Sequence, residues 1–149
     1  MVSNPSRVRI RACGLLARPD RADWLLVRDH GETAWRLPGR DVTAAFDTPA
    51  ETILSTIRGT LGFNLHTTPQ FCAHTWIRPQ HGPPLLTYLF DLGAMPSDLV
   101  RPQRGLEVNW VHRIMTPRLL SGSDVPALLR HLDQPDHTRH TAPYQELLS

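Results

Sequence analysis

His74 and Trp76 stand two residues apart in the alternating stretch Phe71-Cys-Ala-His-Thr-Trp-Ile-Arg78. Alternate residues of a strand share a face, so Cys72, His74, Trp76 and Arg78 are expected together, with Phe71, Ala73, Thr75 and Ile77 opposite. A histidine titrates near neutral pH, and an indole offers a flat apolar surface. The pair is an acid–base group beside a stacking platform, which makes His74 the first catalytic candidate. Tyr88 and Phe90 share a face on the next strand-like run, and the alternation leaves open which of that run's two faces is core. Asp47 and Glu107 are the acidic candidates. Arg28, Arg36 and Arg40 surround a Leu37-Pro-Gly turn and are placed to hold an anion, because guanidinium groups make forked contacts to phosphate and carboxylate. The plainer fate of each of these side chains is a solvated surface.

Metal chemistry has less to stand on. The eight histidines are scattered, and no pair has the H-x-x-x-H spacing of a helical ligand pair. Cys13 and Cys72 lie far apart in strand-like runs and read as buried free thiols. The net charge of +2 is no nucleic-acid signature. All 16 basic residues are arginine, as the codon bias of a GC-rich bacterial genome would produce; anion binding is the sharper reading. No apolar run is long enough to span a membrane. The stretch Ala12 to Ala17, ended by Pro19 and Asp20, is too short for a signal peptide, so a cytoplasmic protein is expected.

Several elements must position these groups. With 149 residues and 40% hydrophobic content, the chain suits one domain over 1–133 and an irregular tail over 134–149. Residues 1–6 read as a loose start. Val8, Ile10 and Ala12 alternate with Arg7, Arg9 and Arg11, which is strand periodicity with a solvated arginine face. A turn at Pro19-Asp20-Arg21 leads to a second strand, Trp24 to Arg28. Thr48, Pro49 and Glu51 form a capping box with proline at the first helical position. Ala50, Ile53, Leu54, Ile57 and Leu61 make an apolar stripe, and Gly62 ends the helix. Thr52, Ser55, Thr56, Gly59 and Thr60 fall on the other face. Two strands follow, over 70–78 and 85–92, then a proline-punctuated loop and a strand over 107–112. A helical turn is expected over 117–120, and a helix capped by Ser123 should bury Val125, Leu128, Leu129 and Leu132. The order predicts an α/β domain, a mixed sheet with helices on both sides.

Leu25-Leu-Val-Arg28, then Trp35-Arg-Leu-Pro-Gly39, then a Thr48-Pro49 helix closing in Leu61-Gly-Phe63, and later Glu107-Val-Asn-Trp-Val111, resemble the Nudix hydrolase family in order and wording over roughly residues 8–132. The resemblance implies a Nudix-type α/β/α sandwich. The family's signature is G-x5-E-x7-R-E-U-x-E-E-x-G-U, with U bulky and aliphatic. With Gly62 and Phe63 as anchor, the E-E pair falls on Gly59 and Thr60, U on Ile57 and the R-E pair on Ser55 and Thr56. The early glutamate falls on Asp47. The leading glycine falls near Arg40, with one extra loop residue. The box is degenerate: its scaffold letters remain and most of its chemical letters do not.

Three glutamates on one helix face offer hard oxygens to Mg²⁺ or Mn²⁺, and the metal bridges a diphosphate and activates water. Thr56, Gly59 and Thr60 supply no carboxylate. The expectation is therefore a divergent Nudix-fold protein, with no cofactor and no metal ligands. It would bind a small molecule in the cleft or perform metal-independent acid–base chemistry in a biosynthetic pathway. The ligand-binding candidates are Arg28, Arg40, Thr56, Gly59, Thr60, Trp76 and Tyr88. The alternative is a divergent hydrolase of a nucleoside-diphosphate-linked substrate, with Asp47, Glu51 or Glu107 as substitute carboxylates and Mg²⁺ or Mn²⁺ as cofactor. A homodimer is expected from the resemblance; neither a membrane nor a specific nucleic acid is indicated as partner.

Overall fold

Apolar alternation becomes strands much as the sequence implies. The computed structural model describes residues 7–43, 47–65 and 67–134. In it β1 (Arg9–Ala17) and β2 (Asp23–Asp29) make the opening hairpin. After β3 (Gly39–Asp41) come α1 (Pro49–Leu61), β4 (Gln70–Ile77), β5 (Leu85–Ala94) and β6 (Leu106–His112). The helices α2 (Thr116–Leu119) and α3 (Asp124–Asp133) complete the order. The loose start over 1–6, the tail beyond Gln134, and His66, His137 and His140 lie outside the described residues. Among the described residues, no helix is long and apolar enough to cross a membrane.

The strands form one six-stranded mixed sheet, ordered β4-β5-β1-β2-β6, with β3 paired to β1. β1 runs parallel to β5 and antiparallel to β2 and β3. It divides its second edge: Arg11, Ala12 and Cys13 pair with β3, and Ala17 pairs with Trp24 of β2. Glycine at position 39 has a steric cause, because a Cβ there would collide with the Ala12 carbonyl oxygen.

Each face of the sheet carries an apolar layer. On one face Cys13, Leu15, Leu26, Leu37 and Leu89 pack with Ala127 and Leu128 of α3. On the other, Ala12, Leu16, Leu25 and Phe90 pack with Ile53, Ile57 and Leu61 of α1. α1 packs on β1 and β3, whereas α3 packs on β4 and β5.

The ends of α1 form as expected. The Thr48 hydroxyl accepts from Glu51 N at 3.1 Å, and the Glu51 carboxylate accepts from Thr48 N at 2.9 Å. Gly62 closes the helix in the left-handed region, with φ 78°. The buried stripe is rotated from the expected one. Thr52 and Thr56 are inside, and Leu54 is 37% exposed. Thr56 tolerates this because its hydroxyl turns back to the helix backbone, Oγ1 donating to Thr52 O at 2.7 Å; the Thr52 hydroxyl is buried with no partner among the described residues.

Two further expectations change. Ser123 makes no side-chain cap, and α3 buries Asp124, Ala127 and Leu128 while Leu129 stays 45% exposed. Arg11 is not solvated. Its guanidinium forms a two-pronged pair with Asp124, Nε to Oδ1 at 2.7 Å and Nη2 to Oδ2 at 3.0 Å. Asp124 also accepts from Leu37 N at 2.9 Å, and Arg11 donates to Leu37 O at 3.1 Å. The pair ties β1, the Leu-Pro-Gly turn and α3 together.

Candidate functional site

The residues singled out in the sequence separate into three places. The first is the flank of α1. Thr56 is 3% exposed, Gly59 is exposed and Thr60 half-buried. Both threonine hydroxyls donate along the helix, Thr56 to Thr52 O at 2.7 Å and Thr60 to Thr56 O at 2.6 Å. Arg40 reaches this flank from β3, and its Nη2 donates to Ser55 Oγ at 2.7 Å. Asp47 is exposed just before the cap residue Thr48.

A divalent cation needs several hard anionic oxygens. Thr56 and Thr60 present neutral hydroxyls already used as donors, and Gly59 presents no side chain. Among the described residues, no three of His, Cys, Asp and Glu gather closely enough to hold a metal ion. This donor set does not fit Mg²⁺ or Mn²⁺.

The second place is the α1 side of β4 and β5. His74 pairs with Tyr88 and Trp76 with Leu86 across the two strands. A bulge between Phe71 and Ala73 corrects the facing expected from strict alternation. It turns Phe71 onto the face of His74; Cys72 packs on the α3 side, and Ala73 pairs with Leu89. The rings then gather. Phe71 lies 6.0 Å from both His74 and Tyr88 and 6.2 Å from Phe90; His74 lies 6.2 Å from Tyr88. Phe71 and Trp76 remain 55% and 51% exposed. Phe71 is the member that sequence reasoning placed on the wrong face, since a bulge leaves no mark in the alternation.

The third place lies across the sheet. Arg28 and Glu107 pair between β2 and β6, with Nε donating to Oε1 at 2.6 Å. His30 Nδ1 lies 2.9 Å from Oε2. The hydrogen-bonded Arg28 guanidinium, and after it His30, holds the Glu107 carboxyl below its usual range. Arg28 also lies over the Trp35 ring, 4.2 Å from its centre, and Trp35 packs on the α3-side core. Glu107 and Arg28 thus belong to the opposite face and opposite edge from His74, and the structure does not bring His74, Asp47 and Glu107 together.

The two thiols and the Arg11–Asp124 pair belong to the packed layers. Burial pushes the Cys13 thiol well up and the Cys72 thiol to about 12, so neither is a thiolate nucleophile near neutral pH. Burial pulls the Arg11 pKa down, but the hydrogen bonds and charge of Asp124, with smaller charge effects from Cys13 and Asp41, together more than reverse it, and Arg11 stays charged. Sequence reasoning missed Asp124 because its partner lies 113 residues away. An acid in the first turn of α3 was its only local sign.

No protein-family model matches the chain, and no curated protein does either. Solved structures do match. The MutT protein from Methanosarcina mazei Go1 is 19% identical, over 87% of this chain and 96% of that one, with a TM-score of 0.68. The E. coli ORF135 protein is 15% identical, over 87% and 96%, with a TM-score of 0.69. The MutT NUDIX hydrolase from Burkholderia pseudomallei is 18% identical, over 83% and 97%, with a TM-score of 0.64. Identities this low carry the fold and not the chemistry. The six-stranded mixed sheet with helices on both faces, the split edge of β1 and these likenesses together make the chain a Nudix-fold domain.

Proposed function

We propose that this Nudix-fold domain binds a small, ring-bearing molecule on the α1 side of its sheet, without a divalent cation. One observation carries the reading: Phe71 and Trp76 are each more than half exposed, on one face with His74 and Tyr88. Apolar area of this kind is stabilised by covering it, and flat rings cover flat rings well. Thr56, Gly59 and Thr60 offer no carboxylate, which supports binding without metal. A homodimer, a cytoplasmic setting and a place in a biosynthetic pathway belong to the same proposal.

A second reading is metal-independent acid–base chemistry at His74. The setting of the imidazole among Phe71 and Tyr88 favours it, since a ring-bearing ligand seated there would meet a titratable nitrogen. Hydrolysis with substitute carboxylates is less favoured. Glu51 is engaged in the helix cap, Asp47 stands outside it, and Glu107 is paired across the sheet.

Tryptophan fluorescence tests the binding reading. The protein is titrated in chelator with neutral nucleosides and related heteroaromatic compounds, beside a Trp76→Leu variant. Saturable quenching that disappears in the variant is expected. No saturable signal with any compound, or quenching equal in both proteins, would overturn it.

A further inference from the structure

The arginines of the first strands are almost all matched with acids. Arg9 pairs with Asp41, Arg11 with Asp124, Arg18 with Asp23, Arg28 with Glu107, and Arg36 with Asp29 and Glu32. Arg40 differs. Among the described residues its polar partner is the Ser55 hydroxyl, at 2.7 Å, and no carboxylate pairs with it. The nearest acid in sequence, Asp41, is held by Arg9 through two hydrogen bonds, at 3.1 and 2.9 Å. The acid of α1, Glu51, faces the helix cap.

The surroundings of Arg40 are open. Ser55 and Gly59 lie one turn apart on the same flank of α1. A Cβ built on Gly59 meets nothing within 4 Å. Ser55 accepts from Arg40, so its own O–H is left to donate. Arg58, exposed beside Gly59, adds positive charge with no carboxylate partner among the described residues.

We propose that Arg40 and Ser55, beneath the open flank at Gly59, bind the anionic oxygens of a ligand directly. The site takes an oxyanion, phosphoryl or carboxylate, as its guest. This deepens the binding reading and rests on it, since it makes the ligand anionic as well as ring-bearing. The donors are a planar fork and a hydroxyl, which match the edge of either group. A bare glycine leaves the space that a carboxylate side chain would both fill and make repulsive.

The test is calorimetry at low ionic strength, in chelator, with pyrophosphate, inorganic phosphate and citrate as separate probes. Binding of a phosphate probe but not citrate, or the reverse, identifies the class of oxyanion. Arg40→Gln is expected to weaken binding by about tenfold or more, as loss of a charge-assisted hydrogen bond does. Gly59→Glu should weaken it comparably, while Gly59→Gln, of the same size, stays within about threefold because only the charged variant repels the guest. Failure of every probe to bind, or equal binding by the native protein and Arg40→Gln, would overturn the proposal. A neutral nucleoside that still quenches Trp76 in Arg40→Gln would show that ring binding stands on its own, so the two readings fail separately.

Discussion

The two faces of the sheet treat polar groups differently. On the α3 side charges are matched. Arg11 meets Asp124, which is 1% exposed, and Arg28 meets Glu107. Helix α3 lies over β4 and β5 there, and both thiols are kept protonated. On the α1 side the helix covers β1 and β3, exposed rings crowd β4 and β5, and Arg40 has a hydroxyl for its partner. The first arrangement is what a fold needs to hold its layers in register. The second leaves surface and charge unspent, which is what a binding site needs.

The largest effect expected from breaking this contrast is at Asp124. Asp124→Ala leaves the Arg11 guanidinium buried without its counter-charge and the Leu37 N–H without its acceptor. A loss of about 3–5 kcal/mol is expected in urea unfolding. The double variant Arg11→Met with Asp124→Leu removes both charges and should lose much less. A single variant as stable as the native protein would show that the pair does not hold the α3 side.

On the other side, Gly59→Ala should raise stability by roughly 1 kcal/mol, because alanine is the better helix former and nothing blocks its methyl group. A decrease would mean that the flank is occupied. The same experiment sharpens the contrast, since a helix that keeps a costly glycine at an open position keeps it for something other than stability.

The smallest effect concerns Glu107 and acid. Its carboxyl is held below the ordinary glutamate value of 4.5 by Arg28 and then by His30. The folded form therefore favours the carboxylate. The contribution is complete above that ordinary value and fades as pH falls through the lower folded value. Glu107→Gln should lower stability slightly at neutral pH and leave it almost unchanged well below pH 4.5, so that the acid limb flattens. An unaltered acid limb would remove the pair from the account.

Local signals were readable where local physics decides. The capping box at Thr48 and Glu51, the left-handed stop at Gly62 and the strand runs are all written within a few residues of each other. The rotation of α1 was not, because packing on β1 and β3 decides which residues face the sheet: Thr56 goes inside by bonding back to the helix, and Thr52 goes inside with no hydroxyl partner among the described residues. The bulge that turns Phe71 beside His74 depends on pairing with β5 and is silent in the β4 sequence. The Arg11–Asp124 pair joins distant segments and needed the fold to be seen. The candidate site is the least legible part. Residue type marks its members one at a time, and only the sheet decides that Glu107 faces away from His74.

The central claim is binding without metal-dependent hydrolysis. Its most direct test is to incubate the native protein with nucleoside and sugar diphosphate compounds, in Mg²⁺ or Mn²⁺ and again in chelator, and to follow products by mass spectrometry. The account predicts no chelator-sensitive product above the protein-free control. Turnover that needs the metal, and that falls in Asp47→Asn or Glu107→Gln, would contradict it and show that other carboxylates had rebuilt the site.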